Sequence, residues 1–359
     1  MIVGAPKEIK NHEYRVGLVP ETVRELTAAG HTVLIESGAG DGIGITNDDY
    51  QAAGAEIADA VAEVFGRADL VVKVKEPQPV ECERLRPDQT LFTYLHLAAD
   101  PELTKQLAAT GATAIAYETV TDRYGKLPLL LPMSQVAGRM SIQVGAHFLE
   151  KEAGGSGVLL GGVPGVEPGK VVILGGGSAG ASAARISLGV GADVTIIQRS
   201  MARIQELDEM FGGRVRIVHS TQAAIERLVP MADLLVGAVL AAPGAQAPKL
   251  VDRELVGAMR PGSVIVDIAI DQGGCIETSR PTTHDEPIYV AEGVSHYCVT
   301  NMPGGVARTS TFALNNATRP FVLALANRGV RAALDDDPNL ANGLNVDRGL
   351  VVLQGNADG

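Results

Sequence analysis

A glycine cluster that directly follows an apolar run is the feature that most constrains this chain. Residues 171–174 are apolar, and Gly175, Gly177 and Gly180 then fit the pattern G-x-G-x-x-G before an alanine-rich stretch. The pattern indicates a dinucleotide only between a strand and a helix, and that is its context here. The first glycine permits a tight turn, the second lets the backbone approach a pyrophosphate, and the third lets the helix pack on the strand. The sequence predicts a dinucleotide-binding turn, and the alternative is a strand–helix turn without a ligand.

The size and charge of the chain limit which classes of protein and of binding partner remain possible. With 359 residues the chain is long enough for two domains of ordinary size. Its 46% hydrophobic and 20% charged residues are typical of a globular protein. The net charge of −12 opposes binding to nucleic acid or to an anionic membrane surface. We therefore expect a globular protein whose partners are small molecules.

The cysteines and the apolar segments bear on the compartment. Cys82, Cys275 and Cys298 are odd in number and widely spaced, which fits neither a disulfide framework nor a metal site. The N-terminal residues lack the pattern of a signal peptide. No segment reaches the roughly 18–20 apolar residues of a membrane span. The sequence predicts a cytoplasmic protein with no bound metal and no membrane segment.

The first third of the chain alternates short apolar strands with helices, which predicts βαβ units and a parallel sheet. Strands are predicted at residues 1–4, 32–35, 69–74, 91–97 and 113–117, with helices at residues 20–30 and 101–110. A long helix over residues 133–153 follows, with Ser134 as its N-cap. After a glycine- and proline-rich loop, further strands are predicted at residues 171–174, 193–197, 215–218, 234–237 and 263–267.

A last long helix, predicted over residues 310–327, is amphipathic but has no sheet of its own. We infer that it returns to the first domain. The predicted fold is α/β, with two doubly wound Rossmann-like domains. A dinucleotide-binding domain over residues 134–305 is inserted into a discontinuous catalytic domain over residues 1–133 and 306–359, and the active site is expected in the cleft between them. The acidic tail after Asp335 is expected to be a short surface extension.

Several long segments are specific for one enzyme family. They are residues 7–11 (KEIKN), 13–16 (EYRV), 72–77 (VKVKEP), 92–98 (FTYLHLA), 266–275 (VDIAIDQGGC), 279–283 (SRPTT) and 297–303 (YCVTNMP). On these segments the chain resembles the bacterial L-alanine dehydrogenases over nearly its whole length. The resemblance implies an NAD-linked, reversible oxidative deamination in which L-alanine and water give pyruvate and ammonium. It further implies a homohexamer.

Two basic residues are candidates for binding the substrate. The planar fork of Arg15 can bind a carboxylate through two hydrogen bonds, although an exposed ion pair is the commoner role of an arginine. Lys73 and Lys75 are two apart on a predicted strand, so they are expected to point the same way. Two like charges on a buried strand need an anion nearby. The resemblance implies that Lys75 contacts the substrate, and Lys73 is then a structural residue, paired with Glu118.

Two further side chains complete the predicted chemistry. His96 ends an apolar strand, and the resemblance implies that it exchanges protons with the amine, a role suited to an ordinary histidine pKa of about 6.5. Asp271 lies just past a strand, at the sheet edge where doubly wound folds bind ligands. The resemblance implies that it activates water. The alternatives are a structural histidine at 96 and a turn or cap at 271, and Asp267 is expected to be buried and structural.

The resemblance also implies a set of cofactor contacts. Ser134 is expected near a phosphate or the nicotinamide, and Ser178 and Ala179 belong to the glycine turn. The residues expected to line the adenine side are Ser220, Val239 and Leu240. The residues expected near the nicotinamide are Ile268, Asn301, Met302 and Pro303. The residues expected near the phosphates are Arg203 and Arg280.

One position departs from the pattern of NAD-binding units. An acidic residue usually lies about 20 residues beyond the first glycine and accepts hydrogen bonds from the ribose, but Gln198 stands there. Without the carboxylate a 2′-phosphate is no longer repelled, and Arg199, Ser200 and Arg203 offer it partners. We predict NAD(H) as cofactor with NADP(H) as a further candidate. The alternative is that Gln198 simply hydrogen-bonds the ribose of NAD.

Three other functions stay open on the sequence. One is the soluble nucleotide-binding subunit of a proton-pumping transhydrogenase, which would transfer hydride between nucleotides and leave alanine unchanged. Another is a dehydrogenase of another small or N-substituted amino acid, which relative turnover across substrates would reveal. The third is a non-catalytic nucleotide sensor, but such a protein has no need of His96 or Asp271.

Overall fold

The computed structural model describes residues 1–239 and 246–352, which form two compact units. The first unit combines Met1–Met133 with the chain from Val306 onward, and the second unit is Ser134–Gly305. Each unit contains one mostly parallel β-sheet together with helices. The predicted fold class is confirmed, because both units are doubly wound α/β domains and the second is inserted into the first.

The strands are short and mostly buried, as is usual for parallel sheets that are covered on both faces. They are β1 (Ile2–Ala5), β2 (Thr32–Glu36), β3 (Glu56–Ala58), β4 (Leu70–Val72), β5 (Thr90–Thr93), β6 (Thr113–Ala116), β7 (Lys170–Leu174), β8 (Asp193–Gln198), β9 (Arg216–His219), β10 (Leu234–Gly237), β11 (Val264–Asp267), β12 (Ile288–Ala291), β13 (Val294–Tyr297), β14 (Leu344–Asp347) and β15 (Leu350–Val351).

The α-helices connect these strands. They are α1 (Pro20–Ala28), α2 (Asn47–Ala52), α3 (Val61–Arg67), α4 (Pro79–Cys82), α5 (Pro101–Ala109), α6 (Leu131–Phe148), α7 (Ser178–Gly189), α8 (Met201–Phe211), α9 (Gln222–Leu228), α10 (Arg253–Gly257), α11 (Ala307–Arg328), α12 (Val330–Asp336) and α13 (Pro338–Ala341). Within residues 1–239 and 246–352, none of them has the length and apolar character needed to cross a membrane.

The sheet of the first unit has the strand order β15-β14-β6-β5-β4-β1-β2-β3. Strands β1 to β6 run parallel, whereas β14 is antiparallel to β6 and β15 is antiparallel to β14. The direction of chain progression reverses between β1 and β4. Doubly wound sheets bind ligands in the crevice outside the carboxyl ends of the strands at such a point.

The sheet of the second unit has the order β12-β13-β11-β10-β7-β8-β9, and only β12 is antiparallel to its neighbour. Progression reverses between β7 and β10, so the glycine cluster that follows β7 lies at the ligand-binding point of this sheet. Strand β7 is a continuous apolar run because both of its faces are buried. Val171 and Ile173 pack into the core on one face and Val172 and Leu174 into the core on the other.

Four predicted boundaries are wrong. Helix α6 begins at Leu131, so Ser134 lies inside its first turn and is not its N-cap. Pro132 is compatible with this earlier start, because a proline in the first turn gives up no intrahelical hydrogen bond. The helix also ends at Phe148, before the glycines of the following turn. Strand β4 stops at Val72 and β5 at Thr93, each earlier than its apolar pattern suggested.

The described part of the tail after Asp335, up to residue 352, is not a surface extension, which corrects another prediction. Leu344–Asp347 forms β14, which pairs with β6 at the edge of the first sheet. Val346 has no exposed surface. Leu344 and Val346 alternate with polar residues, which is the period of a half-buried strand. The acidic composition suggested an exposed tail, but Asp337 is the N-cap of α13. Its side chain accepts a hydrogen bond from the Asn339 N–H.

The cysteine thiols are expected to be unreactive in the folded protein. All three are free and buried, and burial raises the pKa of Cys82 and of Cys298 to about 11. Since the thiolate is the nucleophile, at pH 8 roughly one such thiol in a thousand is reactive. A colorimetric thiol reagent should label no cysteine in native protein and all three after denaturation. Rapid labelling of native protein would contradict this expectation.

Candidate active site

In the first unit, the predicted substrate-binding residues lie on loops that leave the carboxyl edge of the sheet. Lys75 follows β4 and His96 follows β5, each after a gap of two residues. Arg15 lies on the loop after β1, and the nearby Gly17 packs its backbone against Val72, the last residue of β4. Because β1, β4 and β5 are neighbours, these loops share one edge of one sheet.

Arg15 is held by a buried ion pair. Its Nε donates to Glu13 Oε1 at 2.6 Å, and its Nη2 donates to Glu13 Oε2 at 2.5 Å. Nη1 lies 3.1 Å from the sulfur of Met133. The residue is only 2% exposed. Burial acts to lower the pKa of Arg15, but the hydrogen bonds and charge of Glu13 outweigh it and raise this pKa overall. An exposed ion pair, the alternative role, is therefore wrong.

The ammonium of Lys73 is paired with carboxylates of the protein. Because β4 ends at Val72, the prediction that Lys73 and Lys75 share a strand face is wrong. The predicted pair of Lys73 with Glu118 is also wrong. The Lys73 Nζ lies 3.0 Å from Glu8 Oε2 and 2.7 Å from Glu81 Oε1. Burial opposes the charge of Lys73, but the two carboxylates raise its pKa overall.

His96 lies beyond the end of β5 in an uncommon backbone conformation. Its φ is 53°, in the left-handed region. The Glu118 carboxylate accepts the His96 N–H at 2.5 Å and the Leu95 N–H at 3.1 Å, so it fixes this loop. The imidazole stacks on Tyr94 with 5.9 Å between ring centres, and 49% of the side chain is exposed. The ring is thus positioned yet accessible, as a proton-exchanging group must be.

The second unit gathers the predicted cofactor residues at the same kind of edge. They follow the carboxyl ends of its parallel strands: Gly175, Gly177, Ser178, Ala179 and Gly180 after β7, Arg199 after β8, Ser220 after β9, Val239 after β10, Ile268 and Asp271 after β11, and Asn301 and Pro303 after β13. Gln198 is the last residue of β8. Leu240 lies outside the described residues. Their contacts with a cofactor stay predictions.

The glycine turn has the local geometry that a dinucleotide needs. Gly175 has φ of 92°, which a residue with a side chain rarely adopts. A Cβ on Gly180 would lie 1.9 Å from the Gly175 carbonyl oxygen, so α7 approaches the turn as closely as a glycine allows. A Cβ on Gly177 would meet no atom within 4 Å. This open space beside the N-terminus of α7 fits a pyrophosphate, since the free N–H groups of a helix start bind anions.

Gln198 and Arg203 hold the glycine turn from the neighbouring strand and helix. The Gly176 N–H donates to Gln198 Oε1 at 2.9 Å, and Arg203 Nε donates to the Gly176 carbonyl at 2.8 Å. Arg203 also pairs with Glu206 at 2.6 Å. Arg199 is exposed and forms no ion pair within the described part of the chain. The end of β8 therefore carries cationic groups and a neutral amide.

The two aspartates after β11 have different surroundings. Asp267 is fully buried and accepts N–H groups of Ala269 at 3.1 Å and of Cys275 at 2.9 Å, so its predicted structural role is confirmed. Burial raises the pKa of Asp267, and its hydrogen bonds oppose that shift. Asp271 is exposed within the 3₁₀ helix Ile268–Gln272. The contact of Asp271 with substrate or water stays a prediction.

Three further residues are predicted to contact the cofactor, and each has a different local position. Ser134 lies in the first turn of α6. The guanidinium carbon of Arg280 lies 4.0 Å from the ring centre of Tyr289, on which it stacks. Met302 is only 3% exposed and packs in the hydrophobic core of its unit.

Sequence reasoning missed the carboxylates that support these groups. Glu13 pairs with Arg15, Glu8 and Glu81 pair with Lys73, and Glu118 binds the backbone at His96. Several of these glutamates lie beside apolar residues in the sequence. Because glutamate is rarely buried without a partner, this position was a signal that a cation lies nearby. Which cation each glutamate would meet depends on the packing of distant loops.

Comparison with known proteins identifies the family. The models described as "Alanine dehydrogenase/PNT, C-terminal domain" and "Alanine dehydrogenase/PNT, N-terminal domain" match residues 141–354 and 4–137. The chain belongs to the alanine dehydrogenase/PNT family. Together the two matches cover nearly all of its length, so the resemblance drawn from the sequence is confirmed.

Alanine dehydrogenases and a transhydrogenase are both similar to this chain. The chain is 56% identical to an alanine dehydrogenase of Halomonas elongata, over 100% of this chain and 96% of that protein. A solved L-alanine dehydrogenase superposes with a TM-score of 0.95 at 55% identity, covering 99% of this chain and 97% of the other. A solved transhydrogenase from Sinorhizobium meliloti has a TM-score of 0.85 at 25% identity, covering 98% of this chain and 100% of the other.

Proposed function

We propose that this chain is an enzyme that catalyses the reversible oxidative deamination of L-alanine to pyruvate and ammonium, with hydride transfer to a nicotinamide dinucleotide. The observation that carries the proposal is a guanidinium, an ammonium and an imidazole on the loops of one sheet edge, in a chain similar throughout to alanine dehydrogenases. The first unit supplies the substrate-binding groups, and the second unit supplies the cofactor-binding groups.

Arg15 and Lys75 bind the substrate carboxylate in this proposal. Glu13 occupies Nε and one hydrogen of Nη2, so a carboxylate reaches the guanidinium from its Nη1 side, beside Met133. Arg15 and Glu13 together carry no net charge. In this proposal Lys75 contributes the positive charge that balances the substrate carboxylate. Charge-assisted hydrogen bonds from both cations fix the α-carbon in one place.

His96 and Asp271 manage protons and water. The bound dinucleotide supplies the hydride acceptor for oxidation and the hydride donor for the reverse reaction. His96 takes a proton from the amine during oxidation and returns it in the other direction, with its backbone held by Glu118. Asp271 accepts a hydrogen bond from the water that adds to the oxidised carbon. Hydration of that carbon and loss of ammonium then give pyruvate.

The cofactor in this proposal is NAD(H), with NADP(H) also accepted. Gln198 brings no negative charge to the ribose site, and its Oε1 is already bonded to the Gly176 N–H. Arg199 is exposed, and Arg203 is anchored on the glycine turn. Arg199 lies on the loop after β8 and Arg203 in the first turn of α8. In this fold class that region faces the 2′-phosphate of NADP.

Replacing Gln198 with aspartate is expected to shift preference toward NAD. The new carboxylate would repel a 2′-phosphate and accept ribose hydroxyls, so the NADP-to-NAD ratio of kcat/KM should fall about tenfold or more, equivalent to about 1.4 kcal/mol. Initial rates with both cofactors measure it. Gln205→Asp, on the exposed face of α8, is the matched control for added charge. An unchanged ratio in Gln198→Asp would contradict the proposal on cofactor choice.

Initial rates with purified protein test the proposed reaction. The absorbance of reduced nicotinamide should rise when L-alanine is added with NAD or with NADP, and D-alanine should give no rise. Glycine, 2-aminobutyrate and N-methylalanine form a panel that ranks other amino acids. Failure in both directions with both cofactors would overturn the assignment of alanine.

A transhydrogenase subunit is the second candidate. The superposition on a transhydrogenase at a TM-score of 0.85 favours it, but the identity of 25% is less than half of the 56% shared with an alanine dehydrogenase. Such a protein would exchange hydride between NADH and an oxidised nicotinamide analogue and leave alanine unchanged. Exchange without alanine turnover would replace the first proposal by the second.

We also propose that the protein is a homohexamer of the cytoplasm. The resemblance to the L-alanine dehydrogenases supports the assembly, and three free buried thiols suit a reducing compartment. Size-exclusion chromatography with light scattering should give the mass of six chains. A mass of one or two chains would contradict the hexamer.

A further inference from the structure

We propose that Glu8 is a positioning residue for Lys75, and that it acts through the backbone of residues 73–75. This inference rests on the proposed function, in which Lys75 binds the substrate. Glu8 itself is buried and lies on the loop after β1, whereas the segment it holds follows β4.

One carboxylate bonds three consecutive residues. Glu8 Oε1 accepts the Val74 N–H at 2.7 Å and the Lys75 N–H at 3.4 Å. Glu8 Oε2 accepts from Lys73 Nζ at 3.0 Å. The two oxygens therefore grip the chain from both the backbone and the side-chain direction. A carboxylate held at both oxygens has one orientation, and the peptide groups that it binds are fixed with it.

The Glu8 carboxylate takes the place of a backbone carbonyl as the acceptor of an amide that follows β4. Beyond Val72 the chain stays bonded to the β5 side, where the Lys73 N–H donates to the Phe92 carbonyl at 3.1 Å and the Val74 carbonyl accepts from the Tyr94 N–H at 3.2 Å. On the other side the Val74 N–H donates to Glu8. The carbonyls of the segment are bound separately. Thr93 Oγ1 donates to the Lys75 carbonyl at 2.8 Å, and the Tyr117 hydroxyl donates to the Lys73 carbonyl at 2.9 Å. Glu8 is thus the acceptor for the amides of Val74 and Lys75.

Burial makes the arrangement rigid. Glu8 is 7% exposed, and Lys73 and Glu81 are 0% and 1% exposed. A buried ammonium between two carboxylates keeps its charge satisfied, and neither group can swing into water without leaving a buried charge unpaired. Lys73 can therefore serve as a fixed anchor for Glu8. Lys73 is not predicted to contact the substrate. Its buried ammonium instead anchors the Glu8 carboxylate.

The consequence for the reaction is precision at the Lys75 ammonium. A displacement of about 1 Å in a substrate-positioning group can cost about 10²-fold in rate. Loosening residues 73–75 would move the Lys75 Cα and spread the positions of its long side chain. The binding of the substrate carboxylate should suffer, while cofactor binding by the second unit should not.

Glu8→Gln and Glu81→Gln form a matched pair for the test. Each replaces one buried carboxylate on Lys73 by an amide, but only Glu8 touches the backbone of Val74 and Lys75. Whichever way the new amide at 8 is turned, one of its two sets of partners is lost. We expect Glu8→Gln to lower kcat/KM for pyruvate about tenfold or more with an unchanged KM for NADH. We expect Glu81→Gln to leave kcat/KM for pyruvate within about twofold.

Hydrogen exchange supplies a readout independent of activity. In Glu8→Gln the amides of Val74 and Lys75 should exchange at least about tenfold faster than in Glu81→Gln, since their acceptor either turns away or is no longer fixed by Lys73. Equal effects of the two variants on exchange and on pyruvate kinetics would overturn the proposal and leave the cluster purely structural. Glu8→Ala, which removes both oxygens, should exceed the effect of Glu8→Gln if it folds.

Lys75→Ala separates this inference from the proposed function. If Lys75→Ala loses pyruvate binding, Lys75 has its proposed role, and Glu8→Gln in that background should change pyruvate affinity no further. A full additional loss there would show that Glu8 acts by another route and would overturn the inference alone. If Lys75→Ala turns over pyruvate like the unmodified protein, the role of Lys75 fails, and the inference fails with it.

Discussion

His96→Asn is expected to lower kcat by about 10²–10⁴-fold, the usual contribution of a positioned acid–base group. Asparagine is the suitable replacement because residue 96 has φ of 53°, and asparagine is among the few residues that adopt this conformation readily. The bond from the His96 N–H to Glu118 involves the backbone and should survive. The half-exposed ring contributes little to the core, so the folded structure and cofactor binding should persist.

Steady-state rates in both directions, with thermal unfolding as a check on folding, measure the effect of His96→Asn. His12→Asn is the matched control, because His12 is a second histidine of the first unit with positive φ, 55°, and is not predicted to be catalytic. The control should retain kcat within about twofold. A near-normal kcat in His96→Asn would remove His96 from the mechanism.

Two alanine substitutions in the glycine turn should separate folding from cofactor binding. In Gly180→Ala the new Cβ would lie 1.9 Å from the Gly175 carbonyl oxygen, and a backbone atom cannot step aside as a flexible side chain does. Overpacking usually costs 1–3 kcal/mol, and we expect about 3 kcal/mol here. Cofactor binding should fall as well, because α7 must move away from the turn.

Gly177→Ala should have the opposite profile. Its φ of −64° is accessible to alanine, and the Cβ would meet no protein atom within 4 Å. Stability should stay within about 0.5 kcal/mol. The same Cβ enters the space assigned to the pyrophosphate, so NADH affinity should fall about tenfold or more. Urea unfolding and titration of NADH fluorescence measure the two quantities. Normal NADH binding by Gly177→Ala would place the cofactor elsewhere.

The general fold followed from the sequence because its signals are local and repeated. The apolar run before Gly175 and the alternation of strands and helices define parallel sheets without knowledge of distant contacts. The inserted arrangement followed from one further observation, a long final helix without a sheet. The observed α11 (Ala307–Arg328) belongs to the first unit, as that reasoning required.

The details that sequence reasoning missed depend on residues far apart in the chain. Lys73 resembles Lys75 in sequence, and only the loops that carry Glu8 and Glu81 distinguish them. Glu13 lies two residues from Arg15, but its bidentate geometry depends on loop conformation. The strand β14 was hidden because its partner β6 is more than 200 residues away in sequence. Such long-range pairings leave little trace in local composition.

The reverse reaction tests the central claim most directly. Purified protein is incubated with pyruvate, NADH and ¹⁵N-labelled ammonium. The products are separated on a chiral column and identified by mass spectrometry. The account predicts one ¹⁵N-labelled L-alanine for each NADH oxidised, with loss of the signal when ammonium is omitted. Oxidation of NADH that yields lactate, D-alanine or no product from pyruvate would contradict it.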